Sequence, residues 1–242
     1  MKALILNSGL GQRMGDLTAE HPKCMTGLLR PGETILSRQL NALVRSGITE
    51  TVMTTGYYDA VLTEYCRSLG LPIKYDFVYN PLYAETNYIY SIYCAGEHLK
   101  DDDILLMHGD LVFEQNVLDE IIGMVRSCMK VSSTLPLPEK DFKAVVKEGK
   151  VRAVGVEFFD SAMEAQALYH LRREDWRIWL DKISEYCETG RRQVYAEKAL
   201  NDVTDRCEIY ALDVKDRLCA EVDNEDDLAA VIKRLEKIEP LT

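Results

Sequence analysis

This 242-residue chain is short of positive charge: 29 Lys and Arg stand against 40 Asp and Glu, a formal net charge of -11. With no broad basic face to offer, sequence-independent nucleic-acid binding is excluded, and any bound anion must be gripped locally. Its cysteines are seven, an odd number, scattered as singles with no C-x-x-C spacing. That argues against a disulfide framework or a zinc ribbon and predicts a reducing cytoplasm as the chain's home. No apolar run approaches a membrane span, and the N-terminus lacks a signal-peptide profile, so no membrane partner is expected. Also missing is any Gly-Lys-Ser/Thr tripeptide, which rules out a Walker A loop. No Ser/His/Asp or Cys/His nucleophile arrangement stands out.

What the chain does have begins at residue 2. The apolar run Ala3 to Leu6 stops abruptly at Asn7-Ser8-Gly9, with Gly11 and Gly15 close behind. A buried parallel strand feeding a tight glycine loop has this form. Gly9, Gly11 and Gly15 let backbone N–H groups turn toward an anion, and Arg13 and Lys23 add mobile positive charge where phosphates would lie. A dinucleotide fingerprint is not matched, because the third glycine position falls on Met14 and Thr18 to Pro22 reads as loop. The alternative is a plain strand turn whose glycines only relieve backbone strain; Arg13 and Lys23 favour the polyphosphate.

Hydrophobic spacing then alternates strand and helix. Thr34 caps a helix through Leu36, Leu40 and Leu43 that stops at Gly47. A strand runs over 51–55 to Gly56, a helix from about Tyr58 to Leu69 ends at Gly70, and a strand covers Ile73 to Val78. After the Asn80-Pro81 turn come a helix over Asn87 to His98 and a strand over Ile104 to His108. This rhythm predicts an α/β fold with a doubly wound, mostly parallel, Rossmann-like sheet. From Pro136 the pattern changes to a β-hairpin turning at Glu148-Gly149. A polar, helix-rich stretch follows over Ser161 to Asn201, then a return to the sheet over Cys207 to Leu212 and a closing helix over Asp226 to Ile238. No repeat or linker interrupts the chain, and 1–242 is read as one domain with 136–206 as an elaboration on it.

Asp110 follows a strand end, where ligands bind in open parallel sheets. Beside a triphosphate its charge requires an intervening divalent cation, which makes it a metal-ligand candidate; a turn-forming Asp after Gly109 is the equal alternative. In the acidic run Glu221 to Asp227, Asn224 as N-cap with acids in the first turn accounts for the later residues but not for Asp223, the second ligand candidate. Mg²⁺ held by one or two carboxylates plus phosphate oxygens needs no larger cage. In Tyr83 to Tyr93, four tyrosines surround Glu85-Thr86-Asn87, whose amide and hydroxyl groups suit a base edge, while half-buried packing explains most of the tyrosines. His108 is read as a satisfied structural histidine.

The opening loop, Pro22-Lys23, the Asn87 region, Gly109-Asp110 and Glu221-Val-Asp223 together resemble the sugar-phosphate nucleotidylyltransferase superfamily. Within it, the likeness is to small cytidylyltransferases acting on phosphocholine and 2-aminoethylphosphonate. It also takes in Asn87-Tyr-Ile-Tyr-Ser-Ile-Tyr93 and Gly155-Val-Glu-Phe-Phe-Asp160. The resemblance implies transfer of a nucleotidyl group from a nucleoside triphosphate, CTP favoured, to a small phosphate or phosphonate acceptor. It places Leu6, Asn7, Ser8, Gly9, Gly11, Arg13, Met14, Lys23, Gly56, Thr86, Asn87 and Asp110 around the nucleotide, with Lys23 and Arg13 as catalytic cations. Asp110 and Asp223 would hold Mg²⁺. Glu197 would face the acceptor's cationic head, with Tyr88, Lys143 and Tyr195 on the acceptor side and Trp179 as a further aromatic. One departure stands out: the family has Ala-Ala where this chain has Asn7-Ser8. A sugar-1-phosphate nucleotidylyltransferase using UTP, dTTP or GTP and a non-catalytic nucleotide sensor are the alternatives, and the oligomeric state stays open.

Overall fold

A computed structural model describes residues 1–11, 14–15 and 18–240. Strand β1 (Lys2–Leu6) lies inside a nine-stranded sheet and is buried on both faces. Its alternating side chains divide between two cores: Leu4 and Leu6 on one face, Ala3 and Ile5 on the other. Around it wind α1 (Ile35–Arg45), β2 (Glu50–Thr55), α2 (Asp59–Ser68), β3 (Lys74–Tyr79), α3 (Tyr88–Leu99) and β4 (Ile104–His108). Helix α1 begins with a capping box, in which the Thr34 hydroxyl accepts from the Ser37 N–H and Ser37 Oγ accepts from the Thr34 N–H. The helix stops at Gly47, whose φ of 77° suits glycine.

Strands β3, β2, β1 and β4 are parallel neighbours in that order. The chain therefore leaves β1 toward one edge and returns on its other side at β4, with Leu6 opposite His108. The carboxyl ends of β1 and β4 form the switch point where such sheets open a crevice. Helices cover both faces: α1, α2 and α4 (Gln115–Gly123) pack with Ala3 and Ile5, while α3 and α5 (Arg173–Glu188) pack with Leu4 and Leu6.

The second half departs from the sequence expectation at one element. Residues 161–201 were expected to be helix-rich, but Ala162–Leu171 is the ten-residue strand β9, followed by α5 and α6 (Ala196–Asn201). β9 inserts between β4 and β6 (Cys128–Ser132), antiparallel to both. Parallel pairing is therefore confined to β3-β2-β1-β4 and to β6 with β10 (Tyr210–Asp213), and the sheet as a whole is mixed. The hairpin β7 (Lys143–Lys147) and β8 (Lys150–Gly155) turns at Glu148-Gly149, both with positive φ, and extends the same sheet.

A two-stranded ribbon completes the fold. β5 (Leu111–Phe113) pairs antiparallel with β11 (Cys219–Glu221), and the Val222 N–H donates to the Asp110 carbonyl at 3.1 Å. Helix α7 (Glu225–Ile238) then starts at Asn224, whose side chain accepts from the Asp227 N–H. No helix among the described residues is long and apolar enough to cross a membrane.

Candidate active site

The β5–β11 ribbon explains how acids 113 residues apart meet. Asp110 precedes β5 and Asp223 follows β11, so antiparallel pairing brings both to the open ends of β1 and β4. Between them sits Lys23, on a single 3₁₀ turn (Lys23–Met25), its Nζ 2.5 Å from Asp110 Oδ2 and 2.5 Å from Asp223 Oδ1. Burial disfavours the Lys23 ammonium, but the two carboxylates outweigh it and hold its pKa above the ordinary lysine value. Burial likewise opposes ionisation of Asp110, yet Lys23 and His108 keep its pKa below the usual range. Asp110 Oδ1 is buried and has no hydrogen-bond partner among the described residues.

A second charged pair lies alongside. His108, at the end of β4, places Nδ1 2.7 Å from Glu221 Oε1. Burial would lower the imidazole pKa, but Glu221, Asp110 and Glu197 raise it to about 9. Glu221 itself is pushed up, first by burial and further by Asp110, against the pull of His108. Suitable ligand atoms of His108, Asp110 and Glu221 lie within 4.8 Å of one another. His108 is thus a cleft residue, where sequence reading took it for structural. The missed signal was the alternation Glu221-Val-Asp223, which on an extended segment puts both acids on one side.

These groups line one end of a cleft of about 650 Å³. Leu6, Ser8, Gly9, Leu10, Gly11 and Lys23 form one wall, and Tyr83 to Tyr88 another. Phe142, Val156, Gln193 and Tyr195 form the far side. Gly11 adopts φ 66°, and its carbonyl accepts from Thr18 Oγ1 at 3.0 Å. Ser8 turns inward: its Oγ is 2.5 Å from Ser91 Oγ, which also accepts from Asn80 Nδ2. Asn80 Nδ2 donates to Thr86 Oγ1 as well, so one buried network ties the glycine loop to the start of α3.

Of the expected nucleotide-side residues, Leu6, Ser8, Gly9, Gly11, Lys23, Thr86, Asn87 and Asp110 line the cleft, with Asp223 beside them. Asn87 caps α3, its Oδ1 accepting from the Tyr88 N–H. Three expectations are corrected. Met14 is 1% exposed and packs with Ile35, Val112 and Val222, because its side chain fills the core under α7. Gly56 does not line the cleft; a Cβ there would overlap the Ser8 carbonyl, so its role is close packing of β2 on the loop. Asn7 lies over Gly109, next to the cleft rather than in its wall, with Nδ2 buried and unpartnered among the described residues. Arg13 lies outside the described residues.

On the acceptor side, Tyr88 and Tyr195 line the cleft, their rings 5.9 Å apart, with Phe142 5.1 Å from Tyr195. Glu197 does not reach the cleft. Its carboxylate sits behind Tyr88, accepting from the Tyr88 hydroxyl and, at 3.1 Å, from Tyr169. Burial raises its pKa, and the Tyr88 bond pulls it back. Lys143 also turns away: its ammonium is buried, donating to the carbonyls of Pro138 and Asp141 and lying 4.2 Å from the Phe159 ring. It clasps the segment that presents Lys140, Asp141 and Phe142 to the cleft. Trp179 is fully buried, its indole N–H donating to the Ala196 carbonyl, and offers no ligand contact.

Comparison with known proteins bears on this geometry. The chain is 28% identical over 242 residues to a 2-aminoethylphosphonate cytidylyltransferase of Lancefieldella rimae, covering 94% of this chain and 90% of that one. It is 28% identical over 170 residues to a CMP-5'-(3-aminopropyl)phosphonate synthase of Streptomyces rubellomurinus. That match covers 70% of this chain but only 26% of the relative's length. The structure superposes on a CTP:phosphocholine cytidylyltransferase from Streptococcus pneumoniae with a TM-score of 0.77 at 19% identity. There it covers 97% of this chain and 98% of the other, a likeness of fold. The family model for the MobA-like NTP transferase domain matches residues 3–134, more than half of the chain, and takes in the glycine loop, Lys23, Asn87 and Asp110. The chain belongs to the MobA-like NTP transferase domain family.

Proposed function

We propose that the protein is a Mg²⁺-dependent cytidylyltransferase that transfers the CMP group of CTP to a small phosphate or phosphonate acceptor and releases pyrophosphate. The observation that carries this reading is Lys23 clasped between Asp110 and Asp223 beside the glycine loop, at the carboxyl ends of β1 and β4. The named relatives, a 2-aminoethylphosphonate cytidylyltransferase and a CMP-aminopropylphosphonate synthase, support the choice of CTP and of an amine-bearing acceptor.

The acceptor oxygen is already anionic and needs no general base to attack the α-phosphorus. The obstacle is bringing two anions together and stabilising the charge that builds on the α-phosphate and the leaving pyrophosphate. Lys23 supplies a cation at that place, and the Ser8–Ser91–Asn80 network fixes the loop against which phosphates would lie. The donor set fits a hard divalent ion: Asp110 and Asp223 offer carboxylate oxygens around one point, and Asp110 Oδ1 has no other partner among the described residues. A bound Mg²⁺ would neutralise phosphate charge and act as a Lewis acid there. The rings of Tyr88, Phe142 and Tyr195 suit the cationic head of an amino or choline acceptor, with Glu197 acting through Tyr88.

Pyrophosphate release is to be measured with each of the four NTPs against phosphocholine, 2-aminoethylphosphonate and several sugar phosphates, with and without Mg²⁺. Turnover is expected with CTP and an amine-bearing acceptor. Turnover confined to sugar phosphates would replace this reading with a sugar-nucleotide synthase, and nucleotide binding without pyrophosphate release would replace it with a sensor.

A further inference from the structure

Four tyrosines gather at the end of the cleft away from Asp110. Tyr83 lines the cleft, and against its ring stand Tyr57 at 6.2 Å and Tyr79 at 6.2 Å, tilted by 58° and 62°. Tyr58 packs edge-on against Tyr57 at 4.8 Å. Tyr57 and Tyr79 remain 62% and 50% exposed, an arrangement a stability argument does not explain, since the rings leave much of their apolar surface in water. Single exposed aromatics are ordinary, but a cluster at a cleft lip marks a contact surface.

The cluster is also built into the loop. Tyr58 OH donates to the Thr18 carbonyl at 2.7 Å, and Thr18 in turn holds the Gly11 carbonyl. A Cβ at Gly56 would touch both the Ser8 carbonyl and Tyr83 Cβ, which fixes Tyr83 close to the first residues of the loop. Lys23, Asp110 and Asp223 mark the end where phosphates react. A nucleotide laid from that end along Ser8 to Gly11 brings its base to the wall formed by Tyr83 to Asn87.

We propose that Tyr83, held in place by Tyr57 and Tyr79, is the stacking surface for the nucleobase of the bound triphosphate. This rests on the nucleotidyl-transfer reading. Every base has a π-face, so the ring contributes affinity for any base, and discrimination falls to the polar edge at Glu85-Thr86-Asn87. Tyr90 and Tyr93, stacked on each other at 5.6 Å and absent from the cleft wall, have no such role.

The test is equilibrium binding, with Mg²⁺ present throughout, of the four nucleoside triphosphates and of tripolyphosphate to wild type, Tyr83→Ala and Tyr83→Phe, each checked for an unchanged melting temperature. Tyr83→Ala is expected to weaken CTP and UTP about tenfold, Tyr83→Phe to bind both like wild type, and tripolyphosphate to bind all three equally. Wild-type affinity for CTP in Tyr83→Ala, or an equal loss for tripolyphosphate, overturns the stacking role while leaving the proposed activity standing. A wild type that binds none of the four nucleoside triphosphates overturns both.

Discussion

A Cβ at Gly109 would overlap the Asn7 side-chain oxygen, so the two residues form a matched pair at the joint between β1 and Asp110. Gly109→Ala should therefore destabilise by about 2–3 kcal/mol through overpacking. Asn7→Ala should not, because the amide it removes includes a buried Nδ2 with no partner among the described residues. The double variant Asn7→Ala/Gly109→Ala is expected to recover most of the loss in a denaturant titration; a purely additive double variant would show that the clash is not the cause. At the same scale, Lys23→Ala and Asp110→Ala should each lower kcat by about two to three decades, the usual cost of removing one electrostatic stabiliser from a water-poor site. Near wild-type turnover in both would remove the assignment of their roles. Asp223 was legible as a ligand candidate because it precedes the Asn224 cap that explains the later acids, whereas Asp110 was marked only by its place at a strand end, with a turn-forming Asp as the equal alternative. The His108–Glu221 pair was not legible, since it depends on a ribbon register that joins residues 113 apart.

Strand β9 shows where element-level reading stops. Its sequence, Ala-Met-Glu-Ala-Gln-Ala-Leu-Tyr-His-Leu, is made of good helix formers, and no β-branched residue marks it as extended. Tertiary context decides instead: with neighbours on both edges and cores on both faces, the segment pairs with β4, β6 and β7. The helices capped by Thr34 and Asn224 were legible because their signals are local. β9 also carries polar residues into the interior. Glu164 is bound to the fully buried Lys130 of β6 and accepts from Gln166 Nε2 at 3.0 Å. Lys130→Met leaves that carboxylate unpaired and should cost about 3–5 kcal/mol, whereas Lys130→Met/Glu164→Gln should regain most of it. Equal losses in the single and double variants would count against pairing as the stabilising feature. His170 on the same strand is buried, and burial lowers its pKa below the ordinary 6.5. The unfolded chain then takes up a proton that the folded one resists, so this residue costs stability as pH falls below about 6.5. Melting curves of His170→Leu should be flatter than wild type between pH 7 and 5, and parallel curves would assign the acid sensitivity elsewhere.

Across the whole molecule, the net charge of -11 and the acids of the cleft set a condition on binding. Glu85, Asp110, Asp141, Glu221 and Asp223 all line the cleft proposed for the triphosphate, against Lys23, Lys140 and His108, whose pKa is raised to about 9. A bare triphosphate would meet that wall at a Coulombic disadvantage which low dielectric enlarges, and on the proposed reading a divalent ion shared between carboxylates and phosphates would offset it. Ligand-induced stabilisation reads this directly. CTP with Mg²⁺ at one hundred times its Kd should add about 2.7 kcal/mol. For a chain of this length that corresponds to a melting-temperature rise of roughly 5–10 °C. With EDTA in place of Mg²⁺ the same CTP should give almost no shift, and Asp110→Ala or Asp223→Ala should abolish the difference between the two conditions. A full shift in EDTA would mean that Lys23 and the loop suffice, and the paired carboxylates would then serve to hold the lysine rather than an ion.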